Sequence, residues 1–271
     1  MTLNVAVTQI ASGLDKADNI RRLRALIEQA AEHGAELVVA PEAAMHDFGA
    51  PDLPLAPVAE PLDGPFVSAL AEIAKRRGIT VVAGMFEVAQ GDGERDDRVF
   101  NTVVAVGADG DLIGHYRKQH LFDALGWLES DRLLPGDPVQ RLVFQVADVT
   151  VGVMTCYDIR FPELARALAD DGVDLIAVPS AWVAGDHKLE QWRALTASRA
   201  IENVCYVAGA VQCPPTYTGG SRIVDPWGIE LAAADPQAEG IVAAEISAKR
   251  VAECRERMPS LANRRWKVEP R

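Results

Sequence analysis

Apolar and polar positions alternate in two registers along the chain: short β-branched runs are separated by longer amphipathic ones. Residues 3–10 predict a strand. Residues 18–33 place Ile20, Leu23, Ile27 and Ala30 on one face of a helix, and Gly34 suits its C-terminal stop. Residues 36–41 are almost wholly apolar and predict a buried strand; 66–77 predict a second helix ended by Gly78, and 79–88 a further strand. Residues 99–107 and 112–117 read as two strands joined through Asp109-Gly110, a hairpin turn pair. The plan then repeats: strand 149–154, helix 162–169, strand 174–179, helix 189–202, strand 203–211, and a hairpin around Pro226-Trp227-Gly228.

The repeat reaches individual residues. Gly34-Ala35-Glu36-Leu37-Val38-Val39-Ala40-Pro41 resembles Gly172-Val173-Asp174-Leu175-Ile176-Ala177-Val178-Pro179, and Val81-Val82-Ala83-Gly84 resembles Tyr206-Val207-Ala208-Gly209. Two similar α/β halves related by a pseudo-twofold follow. Strands apolar on both faces must pack against a second sheet as well as against helices, so the pattern predicts a four-layer α-β-β-α sandwich. Periodicity alone also permits a doubly wound sheet, and the internal repeat favours the sandwich. Residues 49–65, with five prolines, form the one long loop candidate of the first half, and loops of that length are often functional.

Composition narrows the class. Hydrophobic residues make up 49% and charged residues 24% of the 271, which excludes a disordered chain. A formal charge of −12 excludes the basic face of a nucleic-acid binder and disfavours anionic membrane surfaces. The longest apolar stretch, residues 175–185, is interrupted by Pro179 and falls short of the ~20 residues a bilayer span needs. The N-terminus enters a strand at once and lacks the pattern of a secretory signal. Cys156, Cys205, Cys213 and Cys254 are too scattered for a disulfide framework. The expectation is a soluble cytoplasmic protein that binds neither nucleic acid nor membrane.

Ligands of open α/β sheets gather beyond the carboxyl ends of strands. Glu42, Lys118 and Cys156 stand at or just after three such ends. Taken singly, each has an ordinary structural reading: a buried small thiol, a paired acid, a surface lysine. Taken together they form a chemical set. A thiolate attacks an acyl or nitrile carbon, a carboxylate moves the protons, and an ammonium stabilises an oxyanion beside a backbone N–H such as that of Tyr157. The spacing of Cys205, Cys213 and Cys254 is not that of a metal site. His115 and His120 flank Lys118, which admits a Cys-His arrangement, but no third orienting partner is visible.

Three segments carry a resemblance. Thr155-Cys156-Tyr157-Asp158-Ile159-Arg160-Phe161-Pro162-Glu163-Leu164, Pro41-Glu42-Ala43, and Tyr116-Arg117-Lys118-Gln119-His120-Leu121-Phe122-Asp123 resemble the nitrilase, or carbon–nitrogen hydrolase, superfamily. Gly219-Gly220-Ser221-Arg222-Ile223-Val224-Asp225-Pro226-Trp227-Gly228 is also similar, and the likeness runs over essentially the whole chain. It implies one catalytic domain over residues 1–271 on an α-β-β-α sandwich, with no metal and no organic cofactor. It implies Glu42 as general base, Lys118 as oxyanion stabiliser and Cys156 as nucleophile. Glu129, in Leu128-Glu129-Ser130, matches a second active-site glutamate that holds the lysine charged and orients the amide.

The run Cys-Tyr-Asp-Ile-Arg-Phe-Pro-Glu resembles the small-amide branch, which includes omega-amidases and deaminated-glutathione amidases, whereas nitrilases more usually carry Cys-Trp-Glu. The expected reaction is hydrolysis of a small primary amide by water; a nitrilase, an N-carbamoyl amidohydrolase and a non-catalytic binding protein of the same fold are the alternatives. Residues 118–129 and 45–61 depart from the omega-amidases, and these segments border the pocket. Asp158 and Arg160 are expected to pair in support of the turn, with Arg160 alternatively reading a substrate carboxylate. Trp182 is expected to wall the pocket or to pack in the core. The likeness also implies a homodimer, or a higher homo-oligomer, joined through residues 160–171 and 189–202 with residues 258–271 reaching across.

Overall fold

A computed structural model describes residues 1–89 and 97–270. The first half runs β1 (Leu3–Gln9), α1 (Lys16–Glu32), β2 (Leu37–Val39), α2 (Pro65–Arg77), β3 (Thr80–Glu87), β4 (Val99–Val106) and β5 (Leu112–Arg117). Short strands β6 (Asp123–Ala124), β7 (Trp127–Leu128) and β8 (Leu133–Leu134) lead to the second half. That half comprises β9 (Val143–Val146), β10 (Val149–Val153), α3 (Pro162–Asp170), β11 (Leu175–Ser180), α4 (Lys188–Asn203), β12 (Tyr206–Val211), β13 (Arg222–Val224) and β14 (Glu230–Ala233). The chain closes with β15 (Gly240–Ile246) and α5 (Ala248–Arg257).

The two large sheets repeat one another. One has the order β15-β1-β2-β3-β4-β5, the other β9-β10-β11-β12-β13-β14. In each, three parallel strands are flanked by antiparallel neighbours on both sides. The crossovers α1 and α2 pack on the first sheet, while α4 packs on the second with α3 beside it. Strand β1 faces β12, and β11 faces β2 and β3, so the sheets stack and the α-β-β-α sandwich results.

Strand alternation sorts the apolar residues into two cores. Val5, Val7, Leu37, Val39, Val82, Val103 and Ala105 join the core that Val151, Val153, Leu175 and Ala177 enter from the other sheet. Their sequence neighbours Ala6, Val38, Ala40, Val81, Ala83, Val104 and Val106 join a second core with Leu23 and Ile27 of α1 and Phe66, Leu70 and Ile73 of α2. A one-residue slip would exchange the two sets. Both faces of these strands are dry, which is why they read as unbroken apolar runs.

Local chemistry moves several boundaries. Asp15 accepts hydrogen bonds from the N–H groups of Ala17 and Asp18, so α1 starts at Lys16, two residues before the expected start. Helix α4 runs to Asn203, where Val204 takes a left-handed conformation (φ 47°) and its N–H returns to Ala200 and Ile201; β12 therefore begins at Tyr206 and not at 203. Strand β15 has no sequence pattern of its own, since Ala243-Ala244-Glu245 favours a helix locally. Pairing of its seven residues with β1 overrides that preference. Among the described residues no helix is long and apolar enough to cross a membrane.

Candidate active site

Glu42 follows β2 and is fully buried. Its Oε1 accepts from Asn101 Nδ2 (2.6 Å) and Lys118 Nζ (3.0 Å), and its Oε2 accepts from the Ala181 N–H (2.6 Å). The backbone here is pinned from both halves of the molecule. Gly84 of β3 donates to the Pro41 carbonyl (3.1 Å), and a Cβ on Gly84 would stand 2.6 Å from Glu42 Cα, so only glycine permits the approach. From the far end of β12, Gln212 Nε2 donates to the carbonyls of Glu42 (3.0 Å) and Ala43 (3.2 Å). Ala43 itself is left-handed, with φ 55°.

Lys118 leaves the end of β5 with its N–H on the Asn101 carbonyl (2.9 Å), and its side chain is wholly buried. Besides Glu42, its ammonium donates to Glu129 Oε1 (2.9 Å). Burial works against the charge on Lys118, but Glu129, Glu42 and Cys156 together hold its pKa well above the usual lysine value. Glu129 opens a 3-10 turn (Glu129–Asp131), and its Oε2 accepts from the Phe122 N–H (2.7 Å). Burial raises the Glu129 pKa, and Lys118 opposes that rise.

Cys156 follows β10 with φ 47°, a backbone conformation that costs a non-glycine residue about 1–3 kcal/mol. It starts a 3-10 helix (Cys156–Arg160) whose turn is fixed by Asp158. The Asp158 carboxylate accepts from the Thr155 N–H (3.1 Å), Tyr116 Oη (2.7 Å) and the His120 N–H (3.0 Å), and contacts His120 Nδ1 at 2.7 Å. Burial pushes the Cys156 thiol well above the usual range and the neighbouring Glu42 charge adds to this, while Lys118 opposes it. The thiol therefore rests protonated beside a carboxylate. Proton transfer to Glu42 can form the thiolate where Lys118 stands ready to meet developing negative charge.

A cavity of about 560 Å³, counted out to its open mouth, reaches Cys156 and Glu129. Phe122, Trp127, Tyr157, Trp182 and Tyr217 wall it, with the cations Arg132 and Lys188 among them. Trp182 thus lines the pocket and is also core-buried, packing 5.6 Å from Trp192. The expected Asp158–Arg160 pair does not form. Asp158 is saturated by the turn, and Arg160 turns away to donate to Gln191 Oε1 (2.6 Å) with its guanidinium 4.9 Å from the Trp182 ring centre. Arg160 is not part of the cavity lining. His120 is taken up by Asp158 and stacks on Phe161, while His115 Nε2 lies 3.4 Å from Gln140 Nε2, so neither is oriented toward the thiol. Among the described residues no group of three or more His, Cys, Asp or Glu side chains is placed to hold a metal ion.

The carbon–nitrogen hydrolase family matches residues 4–256. The chain belongs to that family. A Mycobacterium tuberculosis protein named a hydrolase is 41% identical, over 96% of this chain and 95% of its own. The deaminated glutathione amidase of Escherichia coli O157:H7 is 37% identical over 97% of each chain. The crystal structure of Saccharomyces cerevisiae Nit3, a member of branch 10 of the nitrilase superfamily, superposes with a TM-score of 0.84 and 29% identity, covering 98% of this chain and 97% of that one. The protein is thus a hydrolase of carbon–nitrogen bonds on the nitrilase-superfamily fold.

Within this carbon–nitrogen hydrolase, Glu42, Lys118, Cys156 and Glu129, each picked out from the sequence, converge on one site. Three contributors were not picked out. Asn101 bridges Glu42 and Lys118 from inside the apolar strand β4, and a lone amide in such a run is the signal that marks it. Gly84 and Gln212 carry no local signal, since their importance lies in contacts from distant segments.

Proposed function

We propose that this carbon–nitrogen hydrolase is an amidase that converts a small primary amide to carboxylate and ammonia through a Cys156 thioester. The observation that carries this reading is Lys118, buried and bridging Glu42 (3.0 Å) and Glu129 (2.9 Å) beside the Cys156 thiol. Glu42 takes the thiol proton as sulfur bonds to the amide carbon. The carbonyl oxygen becomes an oxyanion, received by Lys118 and the Tyr157 N–H. Glu42 returns the proton to nitrogen, the carbon–nitrogen bond breaks and ammonia leaves. Water then attacks the thioester while Glu42 accepts its proton, and collapse of the second oxyanion releases the acid and restores the thiol. Glu129 keeps Lys118 charged, and Trp182 walls the pocket.

Similarity to a relative named deaminated glutathione amidase supports the choice of an amide over a nitrile, as does the Cys156-Tyr157-Asp158 run. In this reading residues 1–271 act as one domain in the cytoplasm with no cofactor. The test is ammonia release from primary amides, nitriles and N-carbamoyl amino acids. Release from amides alone is expected; release from nitriles or carbamoyl compounds alone would reassign the substrate. Silence throughout, with Cys156 no more reactive toward iodoacetamide than Cys205, Cys213 and Cys254, would leave a non-catalytic binding protein.

We also propose that two copies associate through the layer of α3 and α4. The C-terminal tail lies on α3, where Arg264 Nη1 donates to Asp170 (3.0 Å), and it leaves Trp266 86% exposed. A second copy would cover that indole. Light scattering should return about twice the 29.2 kDa chain mass, and a monomer at micromolar concentration would refute the arrangement.

A further inference from the structure

A primary amide brings two N–H donors into a dry pocket, and each must find an acceptor there or forfeit its hydrogen bond to water. In the Cys156 reaction one of them faces Glu42, which returns the proton to the leaving nitrogen. The other needs a second acceptor on the wall. Both oxygens of Glu129 already accept, Oε1 from Lys118 and Oε2 from the Phe122 N–H. Among the described residues the cavity lining carries three hydroxyls, those of Tyr157, Thr216 and Tyr217. Thr216 is exposed and Tyr157 half-buried, whereas Tyr217 is only 4% exposed.

Tyr217 differs from the other two in that its proton is already placed. Its Oη donates to Asp47 Oδ2 (2.7 Å). Asp47 is fixed in turn: its Oδ1 accepts from the Gly49 N–H (2.8 Å), and its own N–H donates to the Gly13 carbonyl (3.0 Å). Burial and the Asp47 carboxylate keep the phenol neutral, with its pKa well above the usual tyrosine value. With that proton directed away, the hydroxyl can only accept from a ligand, and donation to a carboxylate makes its oxygen a stronger acceptor. The backbone is held as firmly. Tyr217 bridges to Val183 of the cavity wall, the Ala184 N–H donates to the Thr216 carbonyl (3.0 Å), and the Thr218 N–H donates to the Trp182 carbonyl (2.9 Å). The same strip begins at Ala181, whose N–H fixes Glu42 Oε2 (2.6 Å). Tyr217 thus lines the cavity with Cys156, within electrostatic reach of both that sulfur and Glu42.

We infer that Tyr217 is a specificity-determining residue that accepts the second N–H of the substrate amide, with Asp47 as the positioning residue that turns the phenol proton away from the cavity. This rests on the amidase reading of the site and deepens it: the amide is selected over a nitrile or an ester of the same chain. A nitrile nitrogen and an ester alkoxy oxygen carry no hydrogen, so each would set lone pairs against the lone pairs of Tyr217. A buried acceptor left unpaired in this way is what lets a site reject an analogue that lacks the donor.

The test sets amides against the aldehydes of the same chain: acetamide, butyramide and hexanamide as substrates, and acetaldehyde, butyraldehyde and hexanal as inhibitors. The Cys156 thiol adds across the aldehyde C=O bond, sulfur to carbon and proton to oxygen. The resulting hemithioacetal uses the nucleophile and the oxyanion site but presents hydrogen where the amide has its amino group. Tyr217→Phe should lower kcat/KM for the amides about tenfold or more, while the aldehyde inhibition constants stay within about twofold. Asp47→Leu keeps the hydroxyl but frees its proton to turn inward. It should show the same selective loss in smaller measure, with nothing added on top of Tyr217→Phe, and it decides by the same split if Tyr217→Phe does not melt as a folded chain. Undiminished amide hydrolysis, or aldehyde inhibition weakened as much as the amide reaction, overturns the assignment, because a displaced wall or sulfur would affect both probes alike. Failure of the amidase reading shows separately, as no ammonia from any of the three amides with wild type, and takes this assignment with it.

Discussion

Cys156→Ala is expected to lower ammonia release by about three decades or more in kcat, Glu42→Gln nearly as far, and the double variant no further than the worse single one. Interdependence is the reason. The Cys156 thiol is held protonated by burial and by the Glu42 charge, so the sulfur has no nucleophilic form at rest. Only transfer of its proton to Glu42 creates one, and that transfer is driven when the new thiolate or oxyanion meets Lys118. Glu42→Gln removes the acceptor. It also sets an amide N–H against a donor, because both oxygens of the native carboxylate accept: Oε1 from Asn101 and Lys118, Oε2 from Ala181. Retained activity in Glu42→Gln alongside a dead Cys156→Ala would show that the thiolate is preformed and that Glu42 is not the base. Alkylation provides a second reading, since iodoacetamide is itself a two-carbon primary amide derivative suited to the pocket. It should label Cys156 in wild type and slow sharply in Glu42→Gln. Cys205 and Cys213, raised to about 12 and about 11 by burial, should label slowly in both.

What could be seen in the sequence follows from what kind of information each feature needs. The apolar runs of β1, β2 and β3 are visible because both faces of those strands are buried, and the resemblance of residues 34–41 to 172–179 discloses the repeat before any contact is known. Glu42, Lys118 and Cys156 are visible because strand ends are where such folds place chemistry and because the surrounding motifs are distinctive. Asp158 and Arg160, by contrast, looked like a pair because they are adjacent on one turn and opposite in charge. Asp158 is claimed instead by Tyr116, 42 positions away, and by His120, 38 away, and no local pattern reports such partners. Lys188 is the reverse case. Its spacing is unremarkable for a surface helix start, and only its burial against the rings of Trp182 and Phe122 makes it conspicuous.

Lys118→Met should produce the largest loss of stability of any single change at the site, and a pH dependence whose sign identifies the cause. Among the described residues the ammonium is the one cation paired with the buried carboxylates of Glu42 and Glu129, at 3.0 and 2.9 Å. Removing it strands negative charge in a dry site, which typically costs about 3–5 kcal/mol. Glu129 then relieves part of that cost by taking up a proton. Its carboxyl is already raised by burial, and Lys118 is the group that opposes the rise; with methionine there, the folded-state pKa moves further above that of the unfolded chain. A group raised on folding contributes stability that is fully present below its unfolded pKa and lost as pH rises through the folded one. The melting-temperature deficit of Lys118→Met relative to wild type should therefore be smaller near pH ~5 than near pH ~8. Activity should not follow the same curve. Acid that rescues the fold protonates Glu129 and leaves no ammonium for the oxyanion, so kcat stays low at both ends. In wild type the same raised Glu129 predicts that kcat/KM falls on acidification at a pH above that of an ordinary glutamate, since the ionised carboxylate is the form that holds Lys118. A deficit independent of pH would mean that the cluster is not charged as described, and with it the electrostatic basis for the oxyanion site would fall.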